Sequence, residues 1–274
     1  APLRLAARNN AANIIQLLTA EGADPDIRNR GGETPLHITA RRNSTESARV
    51  LVAAGSLASI RDADGYTPLL RGLEEDAGSG RNRLSDTTRF LSGIPSSPAG
   101  RSNLAPEIAF TAAERGSGEV LELLLETGLS LQIANSRGEN LLTAAAVEPD
   151  ALRVILDFGA RADTRNRKGE TALILASRKP KPESVELLLN AGANPNIPDQ
   201  QGVTPLMYAA ASPDPAAALT LLSNRARPTT LDRNDNSALH YAAESGSPET
   251  IRRLIGLRVP VNTRNRQGAQ PIDL

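Results

Sequence analysis

The chain has 274 residues, no cysteine, and a formal net charge of zero from 31 basic and 31 acidic residues. The lack of cysteine excludes disulfides, thiol nucleophiles and cysteine metal sites. The balanced charge and an aromatic content of 2% argue against nucleic-acid binding. No apolar run approaches the ~20 residues of a membrane-spanning helix, and no signal peptide is visible at the first residue. A cytoplasmic location is slightly favoured, while a secreted or periplasmic one stays open because a leader could precede the given sequence.

The chain opens with two predicted helices. The first lies in APLRLAARNN, and the second runs from Asn13 to Glu21 with Ile14, Leu17 and Leu18 on one face. Gly22 is expected to end the second helix in the left-handed backbone conformation. A pair of short helices is therefore the first predicted element.

The next segment, from Gly31 to Ala40, shows most clearly how a helix of this chain begins, and it reads GGETPLHITA. The Thr34 hydroxyl can accept a backbone N–H at a helix start, and Pro35 suits the first helical position. Gly31 and Gly32 are expected to supply the positive φ that a tight turn needs. The segment therefore predicts a turn, a cap and then a helix.

The same frame recurs along the whole chain. With the position of Thr34 taken as the start of a repeat, six of the eight separations between starts are 33 residues. We number the repeats 1 to 9 from these starts. The starts are Ala1, Thr34, Thr67, Glu107, Asn140, Thr171, Thr204, Ser237 and Gln270.

A repeat of about 33 residues that opens with TPLH resembles the ankyrin repeat. The resemblance covers essentially the whole chain. It implies an all-α solenoid of helix-turn-helix repeats, with a hairpin turn, the β-hairpin finger, before each first helix. Such arrays usually bind another protein on their concave side. We expect one domain over residues 1–274, and a longer parent protein because neither end resembles a complete polar capping repeat.

Repeat 3 departs from the regular spacing. Its helix-ending glycine, Gly93, follows the repeat start by 26 residues, against 21 in repeats 1 and 2. The stretch from Glu74 to Arg83 holds the extra residues, and the following finger, Ile94 to Pro106, is two residues longer than usual. We expect the segment Glu74 to Pro106 to mark a functional surface or a joint, because insertions in repeat proteins form exposed loops that often bind. A neutral insertion is the alternative.

Glycine is expected to end the second helix of most repeats. The aligned residues of repeats 7 and 8 are Arg225 and Arg258, and a side chain there costs about 1 kcal/mol in the left-handed conformation. These two helices should end differently or under strain, so hydrogen exchange is expected to be fastest in residues 214–274. The glycines at this position are Gly22, Gly55, Gly93, Gly128, Gly159 and Gly192.

No catalytic residue, cofactor or metal site is predicted. His37 and His240 both take the fourth position of the TPLH frame, and they lie 203 residues apart, too far to share a metal ion. The resemblance implies that this imidazole bonds the backbone near the finger and ties neighbouring repeats together. The carboxylates of Glu74, Glu75 and Asp76 are expected to be solvated, because nothing places them in a pocket that would shift their pKa.

The fingers are rich in arginine. Asn29, Asn166 and Asn265 stand where the resemblance implies aspartate, which would leave these tips more positive than in a typical array. An acidic partner is one interpretation, and ordinary solubilising tips are the other. The arginines six or four residues before a repeat start are Arg28, Arg30, Arg61, Arg165, Arg167, Arg233, Arg264 and Arg266.

The first helices carry a second set of charged residues, on the face expected to line the groove. Their sign changes along the chain from basic to acidic and back to basic. A mixed groove favours a specific polar peptide or protein surface over a uniform polyanion. In chain order these residues are Arg8, Arg41, Arg42, Glu74, Glu75, Arg178 and Lys179.

The sequence thus predicts a non-catalytic scaffold that binds another protein or peptide through its groove and finger tips, with an acidic patch on that partner if the tips take part. The alternative is an accessory or targeting module of a larger enzyme, toxin or secreted effector, with the chemistry outside the given sequence. Nucleic acid is disfavoured as a partner by the zero net charge and the scarce aromatic residues.

Overall fold

The computed structural model describes residues 2–80, 82–94, 103–179, 181–245 and 247–271. Over these ranges the chain is helical, and isolated antiparallel bridges join the two sides of three fingers, at Ala134–Asn140, Arg165–Thr171 and Leu231–Ser237. Contacts divide the chain into two compact parts, residues 1–130 and 131–274, which we call the N-terminal and C-terminal bodies. The predicted all-α fold class is confirmed, whereas a single domain stays a prediction.

Pairs of short antiparallel helices make up both bodies, and the predicted cap begins several of them. The hydroxyls of Thr67, Thr171 and Thr204 accept the N–H of the third helical residue at 3.3 to 3.4 Å. The helices of the described residues are α1 (Pro2–Arg8), α2 (Ala12–Ala20), α3 (Pro35–Arg42), α4 (Thr45–Ala53), α5 (Pro68–Ser79), α6 (Asp86–Ser92), α7 (Ala105–Arg115), α8 (Gly118–Glu126), α9 (Leu141–Ala144), α10 (Pro149–Asp157), α11 (Ala172–Ser177), α12 (Pro182–Asn190), α13 (Pro205–Ala210), α14 (Ala216–Ser223), α15 (Ala238–Ser245) and α16 (Pro248–Gly256).

The core of each body runs along its helix pairs. In repeat 2, Leu36 and Ala40 of α3 and Ala48 and Leu51 of α4 are buried. The spacings of four and three residues place each of these pairs on one side of its helix. Most of the same positions in the other repeats hold alanine, leucine, isoleucine or valine, with the small Ser177 buried in repeat 6, so thin helices pack closely.

The second helix of repeat 1 differs from its prediction. Ile15 is fully buried, whereas Ile14 and Leu17 are 48% and 64% exposed. Ile14 holds the position of Ser47 in α4, and α4 packs against α2 on that side. The buried side of α2 was therefore assigned one residue out of register.

The finger of repeat 2 turns at a single glycine rather than at two. Gly32 has a φ of +75°, while Gly31 does not adopt positive φ, which corrects the prediction for Gly31. A side chain at Gly32 would also place a Cβ 2.8 Å from the backbone nitrogen of Ala63 in the next finger. The Ala63 N–H donates to the Gly31 carbonyl at 2.9 Å, so the two fingers touch through their backbones.

The extra residues of repeat 3 lengthen its first helix and pack on repeat 4. Helix α5 has 12 residues, against 8 in α3. Beyond it, the Asn82 side chain accepts the Gly118 N–H at 2.6 Å, and the Leu84 N–H donates to Glu119 at 2.8 Å. The inserted residues therefore hold the start of α8. This contact links repeats 3 and 4 inside the N-terminal body.

The finger of repeat 4 was predicted to extend to Pro106, but α7 already begins at Ala105. Burial nevertheless keeps the register with Glu107 as the repeat start, since Ile108 and Ala109 are buried like their counterparts in repeat 2. The helix is simply longer at its N-terminal end. Residues 95–102 of the predicted loop lie outside the described ranges.

The helix stops follow the glycine prediction with one exception. Five of the six predicted glycines adopt positive φ, whereas Gly93 has a φ of −74°. Arg225 and Arg258 adopt φ of +68° and +61°, so these two helices end in the left-handed conformation that glycine takes in most other repeats, and the strain stays a prediction. Asn10 and Asn43 also adopt left-handed backbone, in the turns between the first and second helices of repeats 1 and 2.

Candidate functional site: the inner face

The candidate site is the inner face of each body, which we define as the surface formed by its fingers and by the first-helix side chains four and seven positions after a repeat start, together with Arg42 and Glu75 at the eighth position. Residues three apart lie on the same side of a helix. In repeats 1 to 3 these side chains are Leu5, Arg8, Ile38, Arg41, Arg71 and Glu74. In repeats 6 to 8 the charged and aromatic ones are Arg178, Tyr208, Tyr241 and Glu244.

In the described fingers of repeats 2, 3 and 5 to 9, one side chain, five residues before the repeat start, closes the turn. Asp62 accepts the N–H groups of Asp64 and Tyr66 at 3.0 and 2.9 Å. Asn166 accepts those of the residues two and four positions later at 2.9 and 3.0 Å. Aspartate and asparagine thus close the turn in the same way, because each has a side-chain oxygen that accepts backbone N–H groups. The two side chains differ in charge, and the residues that bond them differ accordingly.

Where this residue is aspartate, its second oxygen binds a donor on the first helix. The Tyr241 hydroxyl donates to Asp232 at 2.7 Å, and the Arg71 Nε donates to Asp62 at 2.7 Å. Burial opposes the ionisation of Asp232, but the bonds from Tyr241 and the finger N–H groups outweigh burial and lower the pKa of its carboxyl. Burial, followed by the bond to Asp232, raises the pKa of Tyr241.

Where this residue is asparagine in repeats 2 and 6, a glutamate four residues later accepts a hydrogen bond from its side-chain amide. Asn29 donates to Glu33 at 2.7 Å, and Asn166 donates to Glu170 at 2.9 Å. The negative charge that asparagine removes is therefore replaced within the same finger. This corrects the inference that these two tips gain positive charge. Asn265 is followed by alanine at that position, so its finger keeps the additional positive charge.

The inner face of the C-terminal body holds a cluster around Tyr208. The Arg178 guanidinium stacks over the Tyr208 ring, 4.1 Å from its centroid, and donates to the Tyr208 hydroxyl at 2.6 Å. The same hydroxyl donates to Asp199 at 2.7 Å, and Arg178 also bonds Glu170 at 2.6 Å. Burial and Asp199 raise the pKa of Tyr208. Two repeats thus fix one part-exposed aromatic ring and one guanidinium.

In the N-terminal body, two inner-face arginines are already paired. Arg41 bonds Glu33 at 2.8 Å and Glu75 at 3.4 Å. Arg71 bonds Asp62 and Glu74, and it stacks on Tyr66 at 3.9 Å from the ring centroid. The predicted groove residues Glu74 and Glu75 therefore neutralise neighbouring arginines.

Two other predicted groove residues, Arg8 and Arg42, are exposed and have no carboxylate within 4.0 Å in the described parts of the chain. They line a cavity of about 240 Å³ together with Asn29, Glu33, Ile38 and Arg41. The structure thus brings Arg8, Arg41 and Arg42 together at one place on the inner face. Arg178 and Lys179 lie in the C-terminal body.

Several predicted finger arginines donate hydrogen bonds to backbone carbonyls of their own fingers. Arg61 and Arg264 donate to the carbonyls of Gly65 and Gly268, four residues later, at 2.6 and 3.0 Å. Arg165 makes the equivalent bond at 3.4 Å. The other five contact the neighbouring finger or remain exposed at the tips. Arg28 donates to the carbonyl of Arg61, Arg266 pairs with Asp235 at 3.2 Å, and the exposed Arg30, Arg167 and Arg233 have no carboxylate within 4.0 Å among the described residues.

The histidine prediction holds for His37. Its Nδ1 accepts the Thr34 N–H at 3.2 Å, which leaves the proton on Nε2, and Nε2 donates to the Tyr66 carbonyl of the next repeat at 2.9 Å. Burial lowers the pKa of this imidazole despite the bond to Tyr66. His240 bonds the Ser237 N–H in the same way, but its Nε2 has no hydrogen-bond partner within the described ranges.

Sequence reasoning missed three residues of the inner face: Arg71, Tyr208 and Tyr241. All three lie four positions after a repeat start, and each bonds an aspartate nine residues before it. A signal was present, because aspartate in the finger coincides with arginine or tyrosine at this position, whereas asparagine coincides with glutamate before the helix in repeats 2, 5 and 6.

The described part of the chain offers little for other chemistry. No group of three or more His, Asp or Glu side chains within it is placed to hold a metal ion. Likewise, none of its helices has the length and apolar character to cross a bilayer.

Comparison with known proteins agrees with this architecture. A family model described as ankyrin repeats (3 copies) matches residues 3–91, 108–199, 144–232 and 181–265. The crystal structure of the human ASB11 ankyrin repeat domain is similar, with 21% identity and a TM-score of 0.63, over 83% of this chain and 99% of that chain. No curated protein matches the chain. The predicted resemblance is confirmed, and the chain belongs to the ankyrin-repeat family, whose repeats are generally non-catalytic protein–protein interaction modules.

Proposed function

We propose that this protein is a non-catalytic scaffold that binds a partner protein through the inner face of its C-terminal body, centred on Arg178, Tyr208 and Tyr241. One observation carries the proposal: the Tyr208 ring is fixed by Arg178 above it and by Asp199 at its hydroxyl. Tyrosine and arginine are the side chains that most often dominate binding energy at interfaces. A part-exposed ring that is already held in place loses little conformational entropy when a partner covers it.

The finger tips are proposed as the rim of the same interface. Arg167 and Arg233 are exposed beside the C-terminal inner face, and charges at a rim act mainly on the association rate. Arg165 and Arg264 bond the backbone of their own fingers, so their replacement also loosens the finger. Tests of rim charge should therefore use Arg167 and Arg233.

The test is affinity capture from cells of the source organism with quantitative mass spectrometry. Three forms are compared: the wild type, a Tyr208→Ala/Tyr241→Ala variant, and a Phe158→Ala control. Phe158 is 39% exposed and ends α10, away from the inner face. Circular dichroism and denaturant midpoints check that all three fold.

We expect the double variant to capture about tenfold less of each specific partner, or lower still, as for truncated interface anchors. The Phe158→Ala control should capture as much as the wild type. A set of captured proteins that is equal for all three forms would remove the proposal. Binding that weakens with salt for the wild type, and less so for an Arg167→Ala/Arg233→Ala variant, would support the rim assignment.

A further inference from the structure

We propose that a second part of the inner face, around Arg8 and Arg42 in the N-terminal body, binds a carboxylate of an acidic segment of a partner protein that carries an apolar residue beside the acid. The inference deepens the proposed function, on which it rests, by assigning a partner chemistry to a separate set of residues.

The first argument is the state of the inner-face cations. Arg41, Arg71 and Arg178 are each bonded to carboxylates of this chain. Arg8 and Arg42 have none within 4.0 Å over the described ranges. A paired guanidinium already has its acceptor, and an unpaired one in a shared cavity can form the bidentate bonds that carboxylates favour.

The second argument is the balance of charge in the cavity of about 240 Å³ that Arg8 and Arg42 line. Its carboxylate, Glu33, accepts from Asn29 at 2.7 Å and from Arg41 at 2.8 Å. Glu33 is therefore bonded to those two donors rather than to Arg8 or Arg42. The cavity holds three guanidinium groups and one carboxylate, which gives it a net positive charge.

The third argument is the apolar surface beside these charges. Leu5 lies one helical turn before Arg8 on α1 and is 60% exposed, and Ile38 lines the same cavity from α3. A partner segment that places a carboxylate between the two arginines can cover Leu5 with the side chain next to the acid. Burial of that apolar area adds affinity to the charged contact.

These features fit a polypeptide better than a nucleic acid. Glu33 and Glu75 lie beside the arginines and would repel a continuous row of phosphates. The described residues that line the cavity include no aromatic side chain on which a base could stack. One or two carboxylates in an otherwise apolar segment match the site in both charge and extent.

The experiment selects phage-displayed random dodecapeptides that bind the whole chain. The selected peptides, called the winners, are then synthesised, and fluorescence anisotropy measures their affinity. Affinity is compared for the wild type, for Arg8→Gln/Arg42→Gln, for Tyr208→Ala/Tyr241→Ala, and for Arg49→Gln as a control. Arg49 is an exposed arginine of α4, a second helix of the same body that does not belong to the inner face. Each winning peptide is also made with its acidic residues changed to the amides.

The expected winners carry Asp or Glu next to an apolar residue, and the Arg8→Gln/Arg42→Gln variant binds them about tenfold or more weakly, as for a lost charged hydrogen bond. The amide peptides should bind the wild type more weakly by the same factor. Their affinity for the Arg8→Gln/Arg42→Gln variant should equal that of the acidic peptides. Arg49→Gln should bind as the wild type does. Matched denaturant midpoints confirm that the variants fold.

Three outcomes would overturn the inference: no enriched peptide, winners without acidic residues, or equal affinity for the wild type and Arg8→Gln/Arg42→Gln. A single-stranded oligonucleotide that binds through these arginines while the peptides do not would also overturn it. Winners that depend on Tyr208 and Tyr241 alone would support the proposed function and reject this inference. Selected peptides that depend on Arg8 and Arg42 alone would support this inference and leave the role of Tyr208 and Tyr241 to the capture experiment.

Discussion

The Asn29 side-chain amide donates a 2.7 Å hydrogen bond to the carboxylate of Glu33, four residues later in the same finger. The Asn29 oxygen accepts the Glu33 N–H at 2.9 Å, so the two residues close the turn reciprocally. Fingers with aspartate at the Asn29 position bind a helix donor instead. One turn geometry is therefore stabilised by two alternative charge arrangements along the same chain.

The first prediction tests this alternative. Asn29→Asp places a second carboxylate against Glu33 and removes the amide donor, so it should lower the free energy of unfolding by about 1–3 kcal/mol, the cost of leaving a partly buried group unpaired. Adding Glu33→Gln restores a donor and should recover much of that loss. Chemical denaturation of the four forms in a double-mutant cycle measures the coupling. Strictly additive effects would contradict the proposed pairing.

The second prediction concerns acid stability. Because the pKa of Asp232 is lowered in the folded state, its stabilising contribution is complete above the unfolded value of about 4 and is lost as pH falls through the folded pKa. Tyr241→Phe removes one of the bonds that lower this pKa. The variant should be about 1 kcal/mol less stable at pH 7.

Below the folded pKa of Asp232, the difference between the Tyr241→Phe variant and the wild type should shrink. Denaturant titrations at pH 7, 4 and 2.5 provide the measurement. A constant difference across this range would show that the tyrosine does not influence the ionisation of Asp232.

Much of this fold could be predicted because the signals are local. A threonine cap, a proline at the first helical position and a glycine stop each act within a few residues, so the helix pairs were placed correctly in most repeats. The buried side of α2 was not, because the burial of Ile15 rather than Ile14 depends on which side a neighbouring helix covers. The spacing of apolar residues in one helix does not predict how that helix packs against the neighbouring repeats.

The inner face was predicted only in part for the same reason. The arginines and glutamates were found by their position, but their pairing joins residues up to 34 apart, as in Arg41 and Glu75. The sequence analysis therefore treated paired and unpaired charges alike. Tyr208 and Tyr241 were overlooked because a tyrosine at one helical position has no distinctive spacing, and their role appears only beside Asp199 and Asp232.

The third prediction concerns the strained helix end at Arg225. Arg225 and Gly192 occupy equivalent positions in successive repeats, with φ of +68° and +84°. Arg225→Gly should relieve strain of about 1 kcal/mol, reduced by the greater freedom of glycine in the unfolded chain. Hydrogen exchange in α14 should slow accordingly.

The reciprocal change, Gly192→Arg, is the control. A Cβ at Gly192 meets no atom within 4 Å, so any loss of stability reports backbone conformation rather than a clash. Faster exchange in α12 is expected. If neither substitution alters exchange, the left-handed conformation costs nothing here, and the predicted weakness of residues 214–274 would need another cause.

The fourth prediction concerns the inserted segment of repeat 3. Asn82→Ala removes the acceptor of the Gly118 N–H at the start of α8 and should cost about 1 kcal/mol, as for other lost helix caps. The effect should appear as faster hydrogen exchange in α8, with α3 and α4 unchanged. Arg83→Ala is a suitable control, because that side chain is largely exposed. Equal exchange in α8 for both variants would indicate that the insertion does not support repeat 4.

Neighbouring fingers are joined through main-chain groups: Ala63 to Gly31, and Arg167 to Gly138, at 2.9 and 3.0 Å. Equivalent bonds connect Arg233 to Gln201 and Arg266 to Asn234. Apart from the glycines of the turns, such as Gly32, these bonds place no demand on side-chain identity. Duplication or loss of one whole repeat within a body would therefore preserve the connection between the new neighbours, while the side chains at the tips remain free to diverge toward different partners.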